Sequence, residues 1–591
     1  MIEGLSAAGV LALCLLLIPL SGWWLAVRLW SDPLVRFTAA CLTGVAVLAG
    51  VETLVYALGF PPWVALVALA CVCLFSARSL AGTFRSAEFE WPALLAWGGT
   101  AAILVAATLR YAVHGYGDTA WDWYEHWLRS LIFLTHAPVT TKIGIYTIPA
   151  RGPLFNAAAA LLMRVSGSSH YWVFQIIAIA FNSLICLPFA LILESVSGLS
   201  RRRALLVGAG VCILVPFFFW NNTYSWTKDL TAAYVLIGIH GYLTAFRKGD
   251  GAGMARSLAW FAVGFLSHFL ALLYAVTLGL HLVYVRRHQL PIRGLIHAAL
   301  VWAVLLVPWF GYLFFTFGVQ GALGANTTVG GYYVTRDLQG RALPFGRVLI
   351  VNLFSDLFPS HSIMPSSESP TCATITVKGS EKEIGEGPCT PGFNTNGIYS
   401  ILGYSGIVAF QMAVVGLLLL RREIREGRFL LWLLGAGLLF NLLPIRWIDP
   451  GGTFGENLQA WCLVLFAVAV RGLLRLPRAA ITAVTVAMFA EFAVADIRSV
   501  RQQSAVLPLA QHESALRGNP PLGTTLPVPV SDTLFRTGFS YHRNYVYKIS
   551  GGAVYFRDLH PDTFAPVSWM LLGAGLLALT GISLTRGHRA N

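Results

Sequence analysis

Polar residues seldom interrupt the apolar ones for long in this chain. LSAAGVLALCLLLIPLSGWWLAV from Leu5, GIVAFQMAVVGLLLL from Gly406 and WMLLGAGLLALTGISL from Trp569 are three of many such runs. Each approaches the roughly 20 apolar residues that a helix needs to cross the hydrocarbon core of a bilayer. Continuous runs lack the alternation of a barrel strand, so helices do the spanning. The first run shows no cleavage pattern after it, only Trp23 and Trp24 followed by Arg28, and reads as a mature helix. The pattern predicts an all-α polytopic integral membrane protein with about 13 to 15 transmembrane helices.

The connectors sort by charge. Arg201 to Arg203, RKGD from Arg247, RRHQLPIR from Arg286, RREIREGR from Arg421, RGLLRLPR from Arg471 and the tail RGHRAN are short and basic. Threading the spans through the chain puts all of them on one side, the cytoplasmic side by the positive-inside rule, with the N-terminus outside and the C-terminus inside. Basic connectors flank Ser257 to Arg287 at both ends, so the residues between must cross twice, as two short spans or a re-entrant pair turning near His268.

Composition agrees with that frame, since 56% of the 591 residues are hydrophobic and only 12% charged, too few charges to coat a soluble surface. The net charge of +14 resides in the connectors and records topology. No basic groove interleaved with aromatics is present, which excludes nucleic acid as the expected partner. The bilayer is the expected surroundings, and the inner (cytoplasmic) membrane of a bacterium the expected location.

Five polar segments fall on the outer side: Tyr111 to His170, Asn221 to Asp229, Val319 to Gly397, Trp447 to Glu456 and Arg498 to Pro566. The third holds Cys372 and Cys389, the two cysteines outside the predicted spans, and an exported loop favours a disulfide between them; with no further cysteine nearby, zinc is the weaker reading. The last is rich in Pro and Gly and reads as a small cap with some strand.

Candidate chemistry collects in these segments. In GDTAWDWYEHW, Asp118, Asp122 and Glu125 stand at helical offsets of four and three, so a helix there puts three carboxylates on one face. Such a set is costly near lipid unless it meets a cation, a hydroxyl to be deprotonated or basic partners. The bland alternatives are a helix cap at Asp118 and a solvated face anchored by tryptophans. Downstream, YTIPARGPLFN carries Tyr146 and Arg151, whose guanidinium fork suits a phosphate or carboxylate, or an ion pair with Asp118 or Asp122. Trp226 and Lys228 lie at the mouth of a span, where the lysine either binds an anion or snorkels. Arg446, in LPIRWIDP, is a second phosphate candidate or a salt-bridge partner of Asp449 or Glu456. His268, in GFLSHFLALLY, reads as a hydrogen-bonded core residue and stays outside the site.

A span, an outer loop opening on an acidic cluster, loop helices around an Arg-Gly-Pro turn and then many further spans resemble the GT-C superfamily of polytopic glycosyltransferases, most strongly over Trp91 to Phe317. The resemblance implies a polyprenyl-phosphate sugar as donor and an acid of the first large outer loop as base. On this chain that role falls on Asp122 or Asp118, with Glu125 and His126 orienting base or acceptor. Members carry paired or near-paired acids where this chain has DTAWD. No cofactor is required; magnesium or manganese on Asp118 and Asp122 would suit hard oxygen ligands without being demanded.

The implied organisation is extra N-terminal helices at 1–90, a GT-C-like module at 91–317 with its outer loop at 111–170 and a disulfide-bearing outer loop at 318–397. Further helices follow at 398–497, the small outer segment at 498–566, and a last helix with its cytoplasmic tail at 567–591. The expected partners are a lipid-linked sugar donor and a glycan or glycolipid acceptor of the cell envelope, with the donor phosphate met by Arg151, Lys228 and Arg446. A transporter or flippase of a lipid-linked or anionic substrate is the rival, but its ionisable residues would sit near the bilayer midplane rather than in outer loops.

Overall fold

The computed structural model describes residues 2–85, 90–110, 121–141, 148–169, 171–324, 344–346, 348–350, 416, 424–443, 458–486, 539–540 and 545–546. It is a helical bundle whose helices run back and forth between two ends. Six helices among the described residues are long and apolar enough to cross a membrane: Ser6–Leu29, Pro33–Ala57, Trp63–Leu80, Trp91–Thr108, Trp172–Ser197 and Ile292–Ala322. The chain is thus a helical membrane protein. The one described strand pair, Phe539–Ser540 against Tyr545–Val546, is a short antiparallel ladder inside the Pro- and Gly-rich segment.

Helices α1 (Ile2–Leu29), α2 (Pro33–Ala57), α3 (Trp63–Arg85) and α4 (Trp91–Arg110) are consecutive long passes. Asp32 caps α2 by accepting from the Val35 amide, and Pro33 follows at the first helical position, where its missing N–H costs nothing. α1 and α2 touch backbone to backbone: a Cβ on Gly22 would overlap the Ala40 carbonyl oxygen, and one on Gly44 that of Ile18. Small residues permit this close approach, which in lipid replaces hydrophobic burial as the source of helix association.

After the amphipathic α5 (Trp121–Thr135) come the buried α6 (Leu154–Ser166) and a pass made of α7 (Tyr171–Asn182), a 3-10 turn at Ser183–Ile185 and α8 (Cys186–Ser197). This pass is the centre of the bundle, with 100% of its apolar window buried, against 17% for Trp63–Leu80 and for Ile292–Ala322, which lie at the rim. The return runs through α9 (Arg201–Leu214) and α10 (Pro216–Thr223) to a turn, then α11 (Lys228–Lys248).

Between Ser257 and Arg287 the sequence requires two crossings, and the structure supplies them: α12 (Gly251–Ser257) and α13 (Ala259–Ser267) rise, α14 (Leu270–Val285) descends. The reversal falls at His268, whose backbone is extended (φ −152°, ψ 140°). It is tight enough that a Cβ on Gly264 would come within 2.9 Å of the Ala271 Cβ. The rising limb packs antiparallel to α11, Ser267 meeting the Thr227 carbonyl, Phe261 the bare face of Gly238, and Ser257 that of Gly241. α15 (Ile292–Gly324) follows, bent at Gly318 (φ 68°), and then α16 (Ile424–Leu442) and α17 (Gln459–Leu473).

The basic connectors meet at one end. Arg201 bridges Asp32 (2.6 Å) and Glu194 (3.6 Å), and Arg247 pairs with Glu426 (2.9 Å) while donating to the Ser195 carbonyl. Arg471 donates to the Val196 carbonyl and Arg286 to that of Gly249. The single-sided threading drawn from the sequence is reproduced for these connectors.

Candidate functional site

The opposite end is built by α5, the Arg-Gly-Pro turn and the His268 reversal. On α5 the positions of Asp122, Glu125, His126 and Arg129 recur at helical spacing and share a face. Glu125 and Arg129 are almost wholly buried, each side chain 1% exposed. Arg129 donates to Glu125 Oε1 through Nε (2.8 Å) and Nη2 (2.5 Å), and through Nη1 to the Ile148 carbonyl (2.8 Å). The other carboxylate oxygen faces Arg151, whose Nη2 is 3.9 Å away. One buried acid is thus held between two arginines, a net positive cluster.

Arg151 is set by its neighbours in sequence. A 3-10 turn, Ile148–Ala150, precedes it, and Gly152 lies so close to α13 that a Cβ there would overlap the Leu266 carbonyl. Pro153 then starts α6, which carries Asn156 to 3.1 Å from His126 Nδ1. A narrow crevice, too tight to admit a water molecule, is lined here by Arg129, Arg151 and Asn156 together with Phe133 and Trp309. Cationic and aromatic side chains thus lie side by side at this end.

His268 is the buried, hydrogen-bonded residue that its apolar surroundings predict, and it stands within electrostatic range of this neighbourhood. It does accept from the Leu270 amide (3.4 Å), which starts α14. Burial first, then Arg151, Lys228 and His126, hold its imidazole well below the ordinary value of 6.5, so it is neutral. Lys228 opens α11 with its ammonium 3.9 Å from the centre of the Trp226 ring, a cation–π contact, and Tyr224 packs edge-on against Trp226 at 4.7 Å.

Of the residues singled out in the sequence, Glu125, His126, Arg151, Trp226 and Lys228 gather at this end. Asp122 is in the first turn of α5, its side chain outside those described; Asp118, Tyr146, Arg446, Cys372 and Cys389 lie outside the described residues altogether. Arg129 is the residue sequence reading missed, although its i,i+4 spacing to Glu125 was a signal. Glu125 Oε1 is taken by Arg129, while Oε2 makes no hydrogen bond and lies 3.9 Å from Arg151 Nη2; among the described residues no three His, Cys, Asp or Glu side chains converge. Every described cysteine is a free thiol. Comparison with protein families, with characterised proteins and with solved structures found no match to this chain.

Proposed function

We propose that this protein is a GT-C-type membrane glycosyltransferase that moves a sugar from a polyprenyl phosphate to an acceptor hydroxyl at the extracytoplasmic face of a bacterial inner membrane. Its bundle has about 13 to 15 spans once the remaining apolar runs are included. The observation that carries the reading is the buried Glu125–Arg129–Arg151 cluster beside a tight crevice lined by cationic and aromatic side chains. It stands at the end of the bundle opposite the basic connectors, and by the positive-inside rule that end faces away from the cytoplasm.

A lipid-linked sugar arrives with its leaving group already attached. The acceptor oxygen attacks the anomeric carbon, the bond from that carbon to the phosphate oxygen breaks, and the polyprenyl phosphate departs with the electron pair. Asp122, one turn before Glu125, takes the acceptor proton, with Asp118 as the second candidate. Arg151 and Lys228, with Arg446 from the next outer segment, steady the phosphate as its charge grows. Direct displacement inverts the anomeric centre. Arg129 and Glu125 position Arg151 and do not react. The lipid tail reaches the crevice along α15, whose Val304, Val307 and Phe315 face outward while Trp309 turns in. No step needs a metal.

The test is transfer by the purified protein in proteoliposomes, given polyprenyl-phosphate hexoses and pentoses and a cell-envelope glycolipid extract. Asp122→Asn should lower turnover by about 10²- to 10⁴-fold while donor binding is kept. A flippase would move the lipid across the bilayer unaltered by this change and would transfer no sugar in either form.

A further inference from the structure

A second polar site lies in the turn between α10 and α11, and transfer chemistry does not use it. Asp229, in the first turn of α11, is completely buried, and neither of its carboxylate oxygens has a hydrogen-bond partner. An aspartate there ordinarily turns back to the free amides of its own helix. This one does not, and Lys228 beside it is committed to the Trp226 ring.

Three more buried oxygens around the same turn accept nothing: Asn182 Oδ1, Asn222 Oδ1 and Thr227 Oγ1. The amide orientations follow from their partners. Asn182 Nδ2 donates to the Asn221 and Tyr224 carbonyls, and Asn222 Nδ2 to the Phe218 carbonyl, and both amide oxygens are left without a donor. Asn182 is thereby fixed over the turn. The Cys212 thiol lies in hydrogen-bond reach of the Asn222 side chain and in electrostatic range of Asp229, tying those two together. Asn182 also ends α7 at the 3-10 break of the central pass, and broken helices at such a depth are tolerated where they line a polar site.

Buried acceptors without donors are costly, and five oxygens around one turn call for a positive centre. We propose that this turn binds a monovalent hard cation, of the sodium or potassium class, on the Asp229 carboxylate, the Asn182 and Asn222 amide oxygens and the Thr227 hydroxyl. A single carboxylate next to Lys228 supplies too little negative charge for a divalent ion, and oxygen donors exclude the soft metals. The ion ties α7, α10 and α11 together beneath the Trp226–Lys228 pair, so it is structural support for that end of the bundle and stands independently of what the crevice binds.

The experiment is thermal unfolding of the purified full-length protein in nanodiscs, with sodium or potassium chloride titrated against choline chloride at constant ionic strength. A saturable rise in unfolding temperature of roughly 2 °C or more is expected with one of the two ions, by linkage of binding to folding. Asn222→Ala and Asp229→Asn should abolish the rise. Should Asp229→Asn fail to fold, Asn222→Ala alone decides, since it keeps the carboxylate. Equal unfolding temperatures in all salts would overturn the proposal in favour of a protonated Asp229; an ion-dependent rise that survives in Asn222→Ala would place the ion elsewhere and overturn it equally.

Discussion

Gly152 and Leu266, 114 positions apart by their numbering, meet so closely that a single added carbon on the glycine would occupy the space of the leucine carbonyl. The contact docks the Arg-Gly-Pro turn on α13 just before the chain reverses at His268. It fixes where Arg151 stands relative to Glu125.

The first prediction follows from that contact. Gly152→Ala forces the turn off α13, because the obstacle is backbone and cannot swing aside as a side chain would. Overpacking of this kind costs about 1 to 3 kcal/mol. Transfer should fall at least tenfold, as a displacement of about 1 Å at a positioning group does. A lowered unfolding temperature together with lost transfer is the expected pair; unchanged values of both would show that the turn adapts freely.

Glu125 offers a second. Replacing it with Gln removes the charge between two buried or nearly buried guanidinium groups while keeping the shape. Breaking a buried pair on one side destabilises by about 3 to 5 kcal/mol, since the remaining charge is left uncompensated. Denaturation in detergent should show the loss directly. Glu125→Gln combined with Arg129→Met should recover much of it, because the pair then leaves together. A double variant no better than the single one would mean that the carboxylate has other uses.

What could be read beforehand was whatever the chain writes locally. Apolar runs and arginine clusters are local, so the helical membrane class and the shared end of Arg201, Arg247 and Arg471 were visible. The crossing back near His268 was visible too, from two basic flanks with too many residues between them. The acids of α5 were legible as one face, but their partners were not. Glu125 meets Arg129 on its own helix and Arg151 across the fold, whereas Asp118 and the side chain of Asp122, the acids the sequence pairs with Arg151, lie outside those described. His268 lies at the predicted reversal, but FLSHFLALL does not show that the reversal brings it within electrostatic range of Arg151 and Lys228. Asn182 stands in an apolar run and Asn222 in the polar segment from Asn221 to Asp229, and only tertiary structure shows which of their hydrogen bonds are left unmade.

The two ends of the bundle supply a third prediction. Ser169 is exposed beside α5 and Gln289 is exposed among the basic connectors. Cysteine placed at Ser169 should react with a membrane-impermeant maleimide in intact cells. Cysteine at Gln289 should react only after permeabilisation. The reverse pattern would turn the crevice toward the cytoplasm and remove the extracytoplasmic reading with it.

His268 gives a pH dependence whose sign is fixed. Its folded value lies below the ordinary 6.5, first through burial and then through Arg151, Lys228 and His126. The unfolded chain therefore binds a proton at a higher pH than the folded one does. Stability contributed by the neutral ring is present above about 6.5 and is lost as the pH falls below that value toward the depressed folded value. Unfolding temperatures measured from about pH 7.5 down to about pH 5 should drop in the parent protein, and the drop should be shallower in His268→Asn, which cannot titrate but keeps an acceptor for the Leu270 amide. Parallel curves for the two proteins would mean that His268 is solvated and charged, and that it does not share an enclosed site with Arg151.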